Sequence, residues 1–463
     1  MAALHDLTAA ELLTAYSTGA LSPVEVTRSV LDHIDRWEPH LCATWLLRPE
    51  LALEQAHASE ERWRRGAPRA LDGVPVTVKD NIATLGDPTP LGTAAVPLAP
   101  AAADAPPAAR LREAGVVIVC KTTMPDYGML SSGLSTFHKL ARNPWNVRKT
   151  PGGSSSGAGA AAAAGYGPLH IGTDIGGSLR LPAGWCGIFS LKPSLGRIPI
   201  DPPYTGRAAG PMTRTVADSA LMMAVLSQPD ARDSMALPWQ DIAWGGFDQG
   251  TEFLRGKRIG LHLDAGCGLP VDPDILAAVQ AAASLLSAAG AQVEPMNAFM
   301  TQDMLDGLDH FWRMRSHIDL NNLPVADRAR VLPYIREWAD SARALSGAQV
   351  YAAAAMSYNV RVATVRATAA FDYIVSPTSP VLAFDAELPS PTNDPLRGLE
   401  HIGFTVPYNM SEQPAASINC GYSRDGLPIG LQIAGRRHDD LGVLQAARAY
   451  ELLRGPQRPW PSI

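Results

Sequence analysis

Three short segments of this 463-residue chain combine residues that could carry chemistry. They are Val78-Lys79-Asp80-Asn81, then Pro151-Gly152-Gly153-Ser154-Ser155-Ser156-Gly157, then Gly172-Thr173-Asp174-Ile175-Gly176-Gly177-Ser178-Leu179-Arg180. A glycine pair directly before a serine lets the backbone take conformations closed to other residues and brings amide N–H groups close to a ligand. Consecutive N–H groups around Ile175–Ser178 can form a nest for an oxyanion, and a serine at the end of that nest is placed to be a nucleophile. A serine hydroxyl is weak at neutral pH and needs a base. No histidine lies in these segments. A lysine can serve, but only as the neutral amine, so burial must lower it from its ordinary value.

The elements around these segments read as α/β. Residues 7–66 are helical, with Ser22-Pro23-Val24-Glu25 as a cap carrying proline at the first helical position. LDGVPVTVKDNI (71–82) has the alternating, β-branched pattern of a strand. AARLREAG followed by VVIVCKT is a helix and then a buried strand. KRIGLHL (257–263), QVEPM (292–296), FDYIVSPTSP (371–380) and LPIGLQIAG (427–435) are further strands. DPDILAAVQAAASLLSAAG (272–290) and DDLGVLQAARAYELL (439–453) are helices, and 226–256 and 384–403 are loops. His438, Asp439 and Asp440 read as a solvated helix start, and Lys192 and Cys186 as structural residues.

Composition removes several classes. A net charge of −6 leaves no basic face for nucleic acid. The first residues lack the cationic region of a signal peptide, and the longest small-residue run is far too short to span a bilayer. The five cysteines have no CxxC spacing, and the eleven histidines show no HxxxH or HxH pair, so neither a disulfide frame nor a metal site is expected. Reduced thiols point to the cytoplasm. Only six of the 39 basic residues are lysines, a bias towards arginine that makes each lysine worth a question.

The block GGSSSGAGAAAAAGYGPLHIGTDIGGSLRLPAGWCGIFSLKPSLGRIP (152–199) resembles the signature of the amidase signature family of serine hydrolases. The resemblance extends to LDGVPVTVKDNI, NPWN (143–146) and GPMTRTVADSALM (210–222), and more weakly to SPTSP (376–380), PYNMSEQPAAS (407–417) and GLPIGLQIAG (426–435). It implies one amidase domain over 1–463: N-terminal helices (1–66), a signature core (71–222), and remaining sheet, helices and a variable pocket region (223–463). The implied fold is one large mixed, twisted sheet with helices on both faces. The implied triad is Ser178 as nucleophile, Ser154 after a cis peptide bond as relay, and neutral Lys79 as base. The backbone N–H groups of Ile175, Gly176, Gly177 and Ser178 would form the oxyanion hole, with Ser155, Asp174 and Arg180 in support. Met129, with Gly128 and Tyr127 beside it, falls where family members build the acyl pocket. Trp312 and Trp338 fall in a variable stretch (301–350) expected near the substrate entrance. Ser156 and Ala158 depart from the family's usual glycine and serine, which raises a question only about the backbone at 156.

The resemblance implies an amidase: hydrolysis of amide C–N bonds of a small molecule through an acyl-enzyme, with carbamate (urethane) and ester cleavage open to the same triad. No metal or organic cofactor is implied, and the chain is expected to be a monomer or homodimer. Few charges in the presumed pocket segments predict an uncharged, partly aromatic substrate. Two other readings stand beside this one. The chain could be the amidase subunit of an aminoacyl-tRNA amidotransferase, although Pro125-Asp126-Tyr127-Gly128-Met129 lacks the Asp-Glu-Phe associated with it; or it could be a non-catalytic binding protein. Gly153-Ser154-Ser155-Ser156-Gly157 also fits the nucleophile elbow, with Ser155 at its centre, but the polar, proline-ended residues before it are not the strand that elbow needs.

Overall fold

The computed structural model describes residues 3–462, and its frame is one eleven-stranded sheet. The strands are β1 (Thr44–Leu47), β2 (Pro75–Lys79), β3 (Val117–Thr122), β4 (Leu169–Asp174), β5 (Phe189–Lys192), β6 (Ala208–Thr213), β7 (Arg258–Leu261), β8 (Gln292–Pro295), β9 (Tyr373–Pro377), β10 (Ala415–Tyr422) and β11 (Pro428–Gly435). Their order is β1-β3-β2-β4-β6-β5-β10-β11-β9-β7-β8. β3, β2 and β4 run parallel, as do β9, β7 and β8, while the centre is antiparallel. The expected mixed α/β sheet is therefore present. One short strand, β1, interrupts the stretch 7–66 expected to be helical, because it pairs with β3, a segment some 75 residues downstream.

Local chemistry explains several boundaries. The helix Pro23–Leu41 starts on a reciprocal capping box between Ser22 and Glu25. The helix Pro273–Ala288 is capped by Asp272. The helix Ser156–Ala164 is buried along its whole length and built of Ser, Gly and Ala. Small residues let it lie between two cores: Ala160, Ala161 and Ala164 face the main one, and Ala158, Ala162 and Ala163 pack towards Leu179 and Ala183. A Cβ on Gly157 would come 2.1 Å from the carbonyl oxygen of Ala43, so the helix sits closer to its neighbours than any side chain allows. The departure at Ser156 is absorbed by this helix start, where its hydroxyl donates to Ser132 O at 2.9 Å.

One expectation fails near the C-terminus. His438 is exposed, but Asp440 is not part of a solvated helix start. It is fully buried, accepting from Ser194 N at 2.6 Å and from Arg197 Nε at 3.0 Å. Its partners lie some 240 residues upstream, so no local pattern announces them. The variable stretch 301–350 is mostly helical, with helices Gln302–Asn321 and Pro333–Asp340 closing over the site. No helix among the described residues is long and apolar enough to cross a membrane.

Candidate active site

Parallel pairing brings the chemistry to one edge of the sheet. Val76, Thr77 and Val78 of β2 pair with Leu169, His170 and Ile171 of β4, and Lys79 pairs with Thr122 of β3. The carboxyl ends of β2, β3 and β4 thus release three neighbouring segments: Lys79–Asn81, the loop through Tyr127–Met129, and Thr173–Ser178. Loops at the carboxyl ends of parallel strands are a common place for ligand sites. They open here into a cavity of about 590 Å³, whose lining includes Ser154, Ser178, Ile175 and Gly176.

Lys79 is fully buried. Its Nζ donates to Ser154 Oγ at 2.9 Å, Ser155 Oγ at 3.0 Å and Thr173 Oγ1 at 3.0 Å. Burial pushes the lysine well below its ordinary value; the positive charge of Arg207 pushes the same way, and Asp174 and Asp80 oppose it. The environment therefore favours the neutral amine a base must be. Thr173 completes this cluster and also accepts from Asn81 Nδ2 at 3.1 Å. Neither Thr173 nor Asn81 stood out in the sequence as a site residue, although each lies in a segment that did.

The peptide bond Gly153–Ser154 is cis. Ser155 N–H donates to Ser178 O at 3.3 Å, tying the two serine loops together. Ser154 and Ser178 face the same cavity, but no hydrogen bond joins their hydroxyls. Ser155 lies behind them, its Oγ donating to Thr173 O at 3.2 Å.

The loop carrying Ser178 is held from below by Asp174. Its carboxylate accepts from the N–H groups of Gly177 at 2.8 Å and Leu179 at 3.1 Å. This corrects one expected oxyanion donor: the Gly177 N–H is committed to Asp174, because the loop turns back over that carboxylate. The N–H groups of Ile175, Gly176 and Ser178 have no acceptor among the described residues. Gly177 has φ 132°, and a Cβ there would stand 2.7 Å from Thr405 Oγ1, so the turn requires glycine. Burial alone would raise the carboxyl of Asp174, but the guanidinium of Arg180 and the amide of Asn409 hold it down at about 2. Arg180 is itself saturated, donating to Asp174, Thr405 O, Gln432 Oε1 and Asn409 Oδ1.

Tyr127, Gly128 and Met129 all line the cavity, as do Trp312 and Trp338. A Cβ on Gly128 would lie 3.1 Å from Ser154 Oγ, so this glycine leaves the relay serine open. Met129 Sδ accepts from Ser316 Oγ at 3.5 Å, and Trp338 Nε1 donates to Asp309 Oδ1 at 2.8 Å. Leu399 and Ile402 complete the apolar wall. The expectation of a pocket with few charges is corrected: Arg207, Arg315 and Asp319 also line it. They arrive from the loop before β6 and from the helix Gln302–Asn321, outside the segments that looked like pocket. Among the described residues no group of three His, Cys, Asp or Glu side chains could hold a metal ion.

The amidase family profile matches residues 25–444. An acylamidase of Rhodococcus erythropolis is 32% identical over 472 residues, covering 99% of this chain and 96% of that one. The A subunit of the glutamyl-tRNA(Gln) amidotransferase of Chloroflexus aggregans is 33% identical over 486 residues, covering 97% of each. Among solved structures, a bacterial aryl acylamidase of the amidase signature enzymes superposes with a TM-score of 0.90 at 30% identity, covering 98% of this chain and 97% of that one.

Proposed function

The chain belongs to the amidase signature family, and from that membership we propose that it is an amidohydrolase using Ser178 as its nucleophile. The observation that carries the assignment is the buried Lys79 amine, 2.9 Å from Ser154 Oγ beside the cavity that Ser178 also faces. Ser178 Oγ attacks the amide carbonyl. Its proton passes to Ser154 Oγ as the Ser154 proton passes to neutral Lys79. Rotation of the serine hydroxyls, with the tightening that accompanies substrate binding, closes the remaining gap between Ser154 and Ser178. The N–H groups of Ile175, Gly176 and Ser178 receive the oxyanion, each such donor being worth about 2.7–4 kcal/mol in the transition state. Lys79 returns a proton through Ser154 to the departing amine. Water then attacks the acyl-enzyme by the same relay.

The walls offered by Tyr127, Met129, Trp312 and Trp338 suit an apolar or aromatic group on the amide, which favours aryl amides. Carbamates and esters present the same electrophilic carbon and fall within reach of the triad. The acidic charge and the unpaired thiols fit a cytoplasmic enzyme, one amidase domain working as a monomer or homodimer.

The 33% identity to an amidotransferase component favours a second reading, in which the chain works within a larger assembly. The TM-score of 0.90 to an aryl acylamidase, against 0.79 to a solved structure of that amidotransferase component, supports the free-standing enzyme. The test is a fluorophosphonate probe on the purified chain, together with a panel of anilides, carbamates and esters. Labelling at Ser178, lost in Ser178→Ala, with turnover by the chain alone, is the expected result. Turnover only with added partners would assign the amidotransferase role, and no labelling of folded protein would assign a binding role.

A further inference from the structure

We propose that the cavity accepts substrates bearing a carboxylate remote from the scissile bond, and that Arg207 and Arg315 receive it; this rests on the amidase reading above. Both arginines line the cavity with Ser178, and neither meets a carboxylate within salt-bridge distance among the described residues. Arg207 Nη1 reaches only Pro202 O, at 3.3 Å. Arg315 stacks over Tyr204, its Cζ 4.9 Å from the ring centroid, and its Nε is buried with no acceptor. Other partly exposed arginines in this protein are paired: Arg62 with Asp72, Arg328 with Asp340, Arg361 with Glu412. A guanidinium cannot shed its proton, so two unpaired charges persist here. Burial opposes the charge of Arg207, and the neighbouring charge of Arg315 adds to that.

The remaining charges do not cancel the pair. Asp201, exposed in the preceding loop, attracts Arg207 from a distance and forms no ion pair with it. Asp319 stands one helical turn beyond Arg315, exposed at the mouth and not ion-paired with it. Asp174 is committed to Arg180. The Tyr127 hydroxyl, buried in the same wall without a partner, is a further donor. A carboxylate accepts two hydrogen bonds from a guanidinium in a planar fork, so one such group satisfies the orphaned donors and removes the repulsion together.

Two matched substrate pairs test this. One pair is glutaric acid mono-4-nitroanilide and valeric acid 4-nitroanilide; the other is N-acetyl-4-aminobenzoate and acetyl-4-toluidide. The first puts the charge on the acyl side and the second on the amine side. The wild-type chain is expected to favour the anion in at least one pair by about tenfold in kcat/KM, mainly through KM. Arg207→Gln and Arg315→Gln should each erase most of that ratio. A preference for the neutral member in both pairs, or a ratio unchanged in both variants, would overturn the proposal. Hydrolysis of the neutral members reads the amidase assignment separately. Calorimetric titration of Ser178→Ala with the same pairs reads anion binding without turnover. Competitive inhibition of the wild type by valerate against valeramide reads it without an arginine variant. Equal binding of the charged and neutral members in these measurements counts against the arginines.

Discussion

The guanidinium of Arg180 grips both carboxylate oxygens of Asp174, at 3.0 and 2.9 Å, and neither side chain reaches solvent. The same carboxylate holds the N–H groups of Gly177 and Leu179, on either side of Ser178. The pair therefore sets where the nucleophile stands. Removing one partner from a buried pair costs about 3–5 kcal/mol, because the other charge is left uncompensated. Asp174→Ala and Arg180→Met should each lower stability by about that amount in urea titrations. Probe labelling at Ser178 should slow even in the fraction that stays folded. Wild-type labelling rates in either variant would show that the pair does not position the loop.

Lys79→Arg keeps a positive charge but removes the possibility of a neutral amine. Activity should fall by about 10²–10⁴, the range general acid–base catalysis supplies. Lys79→Ala should fall as far. Retention of most activity by the arginine variant at neutral pH would exclude the proton relay.

The active form of Lys79 is the neutral one, so kcat/KM should rise with pH through the lysine's own titration and then level. Burial and the Arg207 charge place that rise well below the ordinary lysine value of 10.5. Arg207→Met removes a like charge, which favours the protonated amine, so the rise should move to higher pH. A profile that stays in place would separate Arg207 from Lys79.

Gly177→Ala adds a Cβ at φ 132° against Thr405 Oγ1. A backbone in that region costs about 1–3 kcal/mol with a side chain, and relief by shifting the loop would misplace the oxyanion donors. A loss of kcat of about 10²-fold or more, with a smaller change in KM, is expected from steady-state rates.

His401 is buried against Trp185 with neither ring nitrogen bonded, and burial lowers it to about 4. In the unfolded chain it titrates near 6.5. Its neutral burial therefore costs nothing above that pH, and stability is lost as pH falls from about 6.5 towards 4, where the unfolded state binds the extra proton. His401→Phe should lessen the acid sensitivity in that window by up to about 1.4 kcal/mol per pH unit, measured as the difference in unfolding free energy between pH 6 and pH 5. An unchanged slope would assign the acid loss to other groups.

What the sequence alone determined was local. The Gly-Gly-Ser turns, the helix caps at Ser22 and Asp272, and the apolar runs of the strands depend on near neighbours, so types and spacing suffice to find them. The signature block also marked Lys79, Ser154 and Ser178 together, because they share one resemblance. The tertiary structure decided everything that needed distant segments to meet. The Gly177 N–H is held by Asp174, a matter of how the loop folds back rather than of which residues it contains. Thr173 joined the lysine cluster because β2 and β4 run parallel in one register. Asp440 lost its solvent to Arg197, and Arg207 met Arg315 across the cavity. A charge has no periodicity that tells which remote segment it will face, so the polarity of the pocket could be read only once the chain had closed around it.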